Sequence, residues 1–296
     1  MTASAGEGSE VVFRIRAQRR RGPVLARVLV YALLIGLSIV FLYPFYWMLV
    51  SSFRSTEHIL ASPLALLPES FDLRAYRSIL RIGGVPLWRY VGNSLWITFA
   101  SVTVTVIVAA LGAYALTRRP KLPGFRFLRF GFLLTIMYPY MLLVIPVYVV
   151  VFRLGLLGSY TGIILFLSVG AIQFFLFEQF FRSLPWELVE AAQVDGASEF
   201  QILARIILPM AAPVVGTVTL ITFILNWSQW FPVLVISTSP ATYTLPVALL
   251  SLNSELGTNF QGIMALACIT TLPVIVVFLL TQRTVMEGLT IGAVKG

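Results

Sequence analysis

Long apolar runs separated by short polar stretches set the rhythm of this chain. The first run, Val28 to Val50, follows a basic segment that carries Arg14, Arg16, Arg19, Arg20, Arg21 and Arg27. As a helix it is roughly 35 Å long, enough to cross the roughly 30 Å hydrocarbon layer with tilt. It is too long for the apolar region of a secretory leader, so an uncleaved first span is expected. Five more runs follow: Trp88–Thr117, Phe130–Phe152, Thr161–Phe181, Val214–Ile236 and Gly262–Gln282. The pattern predicts an all-α, polytopic membrane protein with six transmembrane helices over residues 28–282. Residues 1–27 form a basic N-terminus and residues 283–296 a tail. Pro139 and Pro146 predict a kink in the third span. In the loop from Ser51 to Leu87, Leu73–Leu80 reads as a short helix lying on the membrane.

One stretch breaks the apolar rhythm. Residues 184–213 lie between two spans but carry Glu187, Glu190, Asp195, Glu199 and Arg205. That polarity keeps the stretch out of lipid, and its local signals predict a pair of short helices. Pro185 suits a first helical turn, and Glu187 and Glu190 suit the positive end of its dipole. Asp195-Gly196 stops that helix, because glycine tolerates the left-handed cap. Ser198 with Gln201 forms a capping box that starts the second helix. Ile202, Leu203, Ile206 and Ile207 give it an apolar face, and Pro209 and Pro213 mark the entry to the next span.

Charge then orients the spans. The chain has 296 residues, 58% hydrophobic and 11% charged, where a soluble domain carries about 25% charged residues. The net charge of +9 is no nucleic-acid footprint, because the basic residues are scattered around membrane segments. With both termini in the cytoplasm, the N-terminus, the loop holding Arg118, Arg119, Lys121, Arg126 and Arg129, the 184–213 stretch and the tail share one side. That side holds 15 of the 21 Lys and Arg residues, as the positive-inside tendency requires.

Several chemistries lack the residues they need. The lysines are Lys121, after a proline, and Lys295, after a valine, so no phosphate-binding Gly-Lys-Ser/Thr loop exists. ATP hydrolysis, if it drives this protein, belongs to another polypeptide. Single cysteine and histidine residues, Cys268 and His58, provide neither a disulfide nor a Cys/His metal site. No catalytic residue set and no cofactor site is expected. Glu178 is the one acidic residue inside a span, and Arg182 four residues on suits an interfacial ion pair better than a transport role. The spans instead carry neutral polar groups and aromatics: Asn93 and Ser94, Tyr138 and Tyr140 around Pro139, Gln173, and Asn226 to Trp230. Asn226, Gln229 and Trp230 share one face of an ideal helix. Such groups suit a polyhydroxyl solute, and they equally suit hydrogen bonding between helices in lipid.

The spacing Glu190-Ala191-Ala192, Gly196, Ile206-x-Leu208-Pro209 resembles the signature loop of the permeases of ABC importers. The resemblance implies that this loop is a cytoplasmic coupling helix docked on the ATP-hydrolysing subunit. Glu190, Ala191, Ala192, Asp195, Gly196, Ile206, Leu208 and Pro209 would form the coupling surface. The C-terminal run from Gly288 to Gly296 is similar to that of carbohydrate-importer permeases, such as the smaller permease of the maltose importer. So is Arg89-Tyr90-x-x-Asn93-Ser94. By that likeness the tail, through Gly292, Ala293 and Lys295, enters the ATPase interface as a thin extended strand.

The resemblance implies the rest of the machine: a homologous second permease, an ATPase dimer that binds ATP and Mg, and an external solute-binding protein. The location would be the bacterial or archaeal inner membrane. The external loop Ser237–Gln261 would face the binding protein through Asn253, Glu255 and Asn259. Asn226, Gln229 and Trp230, with Tyr138 and Tyr140, are the candidates for a sugar path. A permease for glycerol phosphate or a polyamine, or a stand-alone secondary carrier, remains an alternative.

Overall fold

A computed structural model describes residues 24–68, 71–119, 123–254 and 257–293. The chain divides after Trp47, and the two parts are taken separately. The first part holds most of helix α1 (Val24–Ser51), whose side chains from Val24 to Phe45 are exposed on all sides. A helix apolar all round has no water-facing side, so lipid or another protein must cover it.

The second part contains α2 (Thr56–Ala61), α3 (Arg74–Ser78), a two-residue-per-strand hairpin of β1 (Arg81–Ile82) and β2 (Val85–Pro86), and then α4 (Leu87–Arg118). The third apolar run is two helices, α5 (Phe125–Met137) and α6 (Tyr140–Arg153), bent by 119°. The expected kink at Pro139 is thus a full break. Proline lacks an amide and pushes the preceding residue, Tyr138, into extended backbone at ψ 134°. Pro146, by contrast, lies inside α6.

The fourth run is α7 (Tyr160–Leu167) and α8 (Ala171–Arg182), bent by 47° at Gly170. The polar stretch folds as α9 (Glu187–Val194), α10 (Glu199–Ile202), a π-helical turn at Leu203–Ile207, and α11 (Leu208–Met210). The fifth run is α12 (Ala212–Trp227), then a break, then α13 (Phe231–Ile236). The chain ends on α14 (Leu245–Leu250), a hairpin of β3 (Asn253–Ser254) and β4 (Gly257–Thr258), and α15 (Phe260–Ala293). The outcome is an all-α membrane fold. Among the described residues, three helices are long and apolar enough to cross by themselves, and three bent pairs pass the same test together.

Helix α4 is the post around which this part is built. Its buried residues recur three or four apart, and Ser94, Thr98, Ser101, Thr105, Ala109 and Ala113 make one small-residue stripe. Small side chains let helices approach closely where lipid gives no hydrophobic drive between them. The stripe receives α8 and α12. Ser101 and Thr105 donate to the carbonyls of Thr98 and Ser101, so their hydroxyls are satisfied within the helix. At one end Phe174, Phe177 and Phe181 pack with Val189, Ile202 and Ile207, joining the polar stretch to the bundle. At the other, Tyr90, Phe223 and Trp227 pack with Leu245 and Leu266.

Candidate functional site

The polar stretch is fixed from behind and open in front. Pro185 falls just before α9, and the Trp186 carbonyl accepts the amides of Val189 and Glu190. Glu187 and Glu190 occupy the first turn, where the helix dipole favours negative charge. The helix ends in a left-handed Gly196 at φ 81°. There the Gly196 amide reaches Gln193 at 3.0 Å and the Ala197 amide reaches Ala192 at 2.9 Å, the paired bonds of a Schellman cap. Ser198 and Gln201 form the expected reciprocal capping box.

Val189, Ile202, Leu203 and Ile207 are buried against α4 and α8. The Glu199 carboxylate ties the same elements by polar contacts. It accepts from Tyr114 Oη at 3.1 Å and from Gln193 Nε2 at 3.2 Å, and pairs with Arg118 at 3.4 Å. The Arg118 guanidinium also lies 5.6 Å from the Trp186 ring centroid.

The opposite face is free of these attachments. Glu190, Ala191, Asp195 and Gly196 are exposed there, Ala192 and Ile206 are half-buried, and Leu208 and Pro209 are exposed further along, in α11. Val194 and Phe200 are 88% and 77% exposed. The sequence reading passed over these two. Their signal was an apolar side chain on an otherwise acidic turn, unused by the buried Ile202 face. Exposed large apolar residues of this kind mark places where another protein or the membrane makes contact.

A second feature lies within the bundle. A cavity of about 660 Å³ opens where three helices break. Its wall takes Met137 to Tyr140 from the α5–α6 break and Leu167, Val169, Ala171 and Gln173 from the α7–α8 break. Leu225 and Asn226 come from the end of α12 and Gln229 from the break that follows it. Broken helices in lipid are tolerated where they line a cavity, and such sites hold transported solutes. Four of the five residues singled out for a sugar path, Tyr138, Tyr140, Asn226 and Gln229, meet here. Trp230 does not.

The family model described as binding-protein-dependent transport system inner membrane component matches residues 106–285. The chain belongs to this family. It is 28% identical over 284 residues to the arabinooligosaccharides transport system permease protein AraQ of Halalkalibacterium halodurans, covering 94% of this chain and 100% of that one. It is 31% identical over 277 residues to the diacetylchitobiose uptake system permease protein DasC of Streptomyces coelicolor, covering 93% and 98%. Among solved structures, a bacterial ABC transporter involved in the import of the acidic polysaccharide alginate matches with a TM-score of 0.73 and 27% identity, covering 88% of this chain and 98% of that one. The chain is therefore a permease of the ABC-importer type, with a membrane-embedded, helical fold.

Within this permease fold several expectations change. Asn226, Gln229 and Trp230 do not share a helical face, because α12 stops at Trp227. Pro232 forces the stop: its ring would clash with the carbonyl four residues back, and it has no amide to give. Asn226 spends its amide nitrogen on Ser101 Oγ at 2.9 Å and the Leu167 carbonyl at 3.2 Å, so it also holds α12 to α4 and α7. Trp230 packs its ring on Phe231.

The Arg89-Tyr90-x-x-Asn93-Ser94 motif is a staple. Arg89 donates to the Ala241 carbonyl, Tyr90 to Ile82, and Asn93 to Ala241 and Tyr243. Asn93 also accepts from Tyr160, and Ser94 accepts the Leu245 amide at 2.7 Å. Glu178 is buried and pairs with Arg182 at 2.7 Å and Arg129 at 3.6 Å, the structural role expected of it. Among the described residues no three His, Cys, Asp or Glu side chains cluster as a metal would need.

In the loop from Ser237 to Gln261, Asn253 is exposed at the tip hairpin, Glu255 lies outside the described residues, and Asn259 caps α15 by accepting the Gly262 amide at 2.8 Å. The tail is helical through Gly292 and Ala293, not an extended strand. No proline follows Pro273, and two glycines at about 1 kcal/mol each do not unwind a helix already nucleated. Lys295 lies outside the described residues.

Proposed function

We propose that this permease imports a sugar or oligosaccharide, delivered by an external binding protein, and that it works beside a second homologous permease. An ATPase pair docks on the outward face of residues 184–213, and its closure switches the permease between its two faces. ATP and Mg bind the ATPase, which is a separate chain. Both termini lie in the cytoplasm, a placement the distribution of arginines supports. The sugar assignment leans on the saccharides named for AraQ and DasC. The observation that carries the docking assignment is the front-and-back division of the loop. Its buried residues bind the bundle, while Glu190, Ala191, Asp195, Val194 and Phe200 are left to a partner.

The test is purification of the tagged chain from native membrane. An ATPase subunit should co-purify, and replacing Val194 and Phe200 by Ser should release it without lowering the amount of permease. Co-purification unaffected by these changes would move the docking surface elsewhere. Import of a radiolabelled saccharide by the purified complex in proteoliposomes, with its binding protein, tests the sugar assignment.

A further inference from the structure

The cavity holds hydrogen-bonding capacity that the fold does not use. Gln173 is 6% exposed and lines the cavity, yet its side-chain amide bonds no described residue. The amide is not sealed among apolar groups: it is open to the cavity, where a solute or water can take its hydrogen bonds. Gly170 leaves room for this amide, since a Cβ there would come within 2.8 Å of Gln173 Oε1. The Gln229 amide and the Tyr138 and Tyr140 hydroxyls line the same space and likewise bond no described side chain or backbone group.

The breaks add backbone groups of both kinds. The first turns of α6 and α8 bring amides without intrahelical partners, and the last turns of α5, α7 and α12 bring carbonyls. An anion would be drawn to the first set and repelled by the second. No Lys, Arg or His lines the cavity, and Arg129 and Arg182 are both held by Glu178. A carboxylate or phosphate here would lose its water without gaining a counter-charge. A hydroxyl both donates and accepts, so it can use amide and carbonyl alike.

We propose that this cavity binds an uncharged glycosyl unit of the transported saccharide, with Gln173 and Gln229 as the residues that set specificity and the two tyrosine rings as its walls. The proposal deepens the reading of the chain as a sugar permease and rests on it. It separates this chain from an importer of acidic or phosphorylated sugars.

The experiment uses the complete importer in proteoliposomes with its binding protein. The probes are radiolabelled diacetylchitobiose, arabinobiose and trehalose, against glycerol 3-phosphate and a mannuronate disaccharide. At least one neutral probe should enter and neither anion should. Gln173→Leu and Gln229→Leu should each lower that uptake about tenfold, the loss of one hydrogen bond to a buried group, and raise the ATP hydrolysed per molecule imported by a similar factor. Gln173→Asn should recover part of the loss. Entry of the mannuronate disaccharide overturns the neutral-solute assignment while the sugar reading stands, and entry of glycerol 3-phosphate alone overturns both. Parallel loss of uptake and hydrolysis, with their ratio unchanged, or unaltered uptake in both variants, assigns the two glutamines to helix packing and overturns the site. Import of none of the five probes overturns the sugar reading together with this one.

Discussion

The Ala192 carbonyl accepts the Ala197 amide at 2.9 Å, closing a turn in which Gly196 stands at φ 81°. Nothing lies within 4 Å of where a Cβ on Gly196 would sit, so the demand for glycine is one of backbone conformation and not of space. The left-handed region costs an L residue roughly 1–2 kcal/mol, and a β-branched one more. Gly196→Val is expected to abolish transport while membrane abundance is retained. Gly196→Asn, which tolerates that conformation, should keep a substantial fraction. Uptake normalised to permease amount measures both, and full activity of the valine variant would refute the role of this cap.

Glu178 offers a stability test. Its carboxylate is buried between Arg182 and Arg129, whose side chains are 49% and 42% exposed. Removing the acid leaves two half-solvated cations near each other and takes away the ionic tie between α5 and α8, which keep the stacked rings of Phe132 and Phe174. Glu178→Ala should therefore cost about 1–3 kcal/mol, below the figure for a fully buried pair. Glu178→Gln should cost less. A lowered midpoint of thermal unfolding of the purified complex is the expected result.

Asn226 bridges to Ser101 at 2.9 Å, and this bond is local enough to isolate. Asn226→Ala and Ser101→Ala should each destabilise by about 1 kcal/mol, and the double variant should fall short of their sum. A strictly additive double-mutant cycle would show that the two side chains do not interact in the folded protein.

Asp72 reports on pH. Its carboxyl is held below the usual range, first by the Arg74 backbone amide at 2.8 Å and then by the Arg74 side chain. A depressed folded value means that the contribution is complete above the unfolded value of about 4 and is lost as pH falls through the lower folded value. Amide exchange protection of α3 should hence be flat from neutral pH down to about 5 and decline below about 4. Asp72→Asn should remove that acid dependence.

The spans were legible because lipid imposes one strong rule, that backbone polar groups be satisfied inside long apolar helices. The polar stretch was legible because Gly196, Ser198 and Gln201 act on neighbours within a few residues. The breaks were only partly so. Pro139 announced one, and Pro232 and Gly170 carried the others but were outweighed by the apolar runs around them. For that reason Asn226 and Trp230 were assigned to one continuous face. The convergence of Tyr138, Gln173 and Gln229 on one cavity depends on contacts between distant segments, which no local spacing reveals. The same holds for Asn93 and Ser94, whose partners lie about 150 residues further on.

The π-helical turn at Leu203–Ile207 has a mechanical consequence. Pro209 has no amide to offer the Arg205 carbonyl, and the Leu208 amide reaches back five residues to Leu203. Beyond it the chain turns by 76° at Ala211, which is fully buried. The two arms thus meet as a crank about a fixed pin. If the loop takes the docking role proposed for it, a push along the outer arm would reach α12 mostly crosswise, swinging the helix sideways more than driving it along its length.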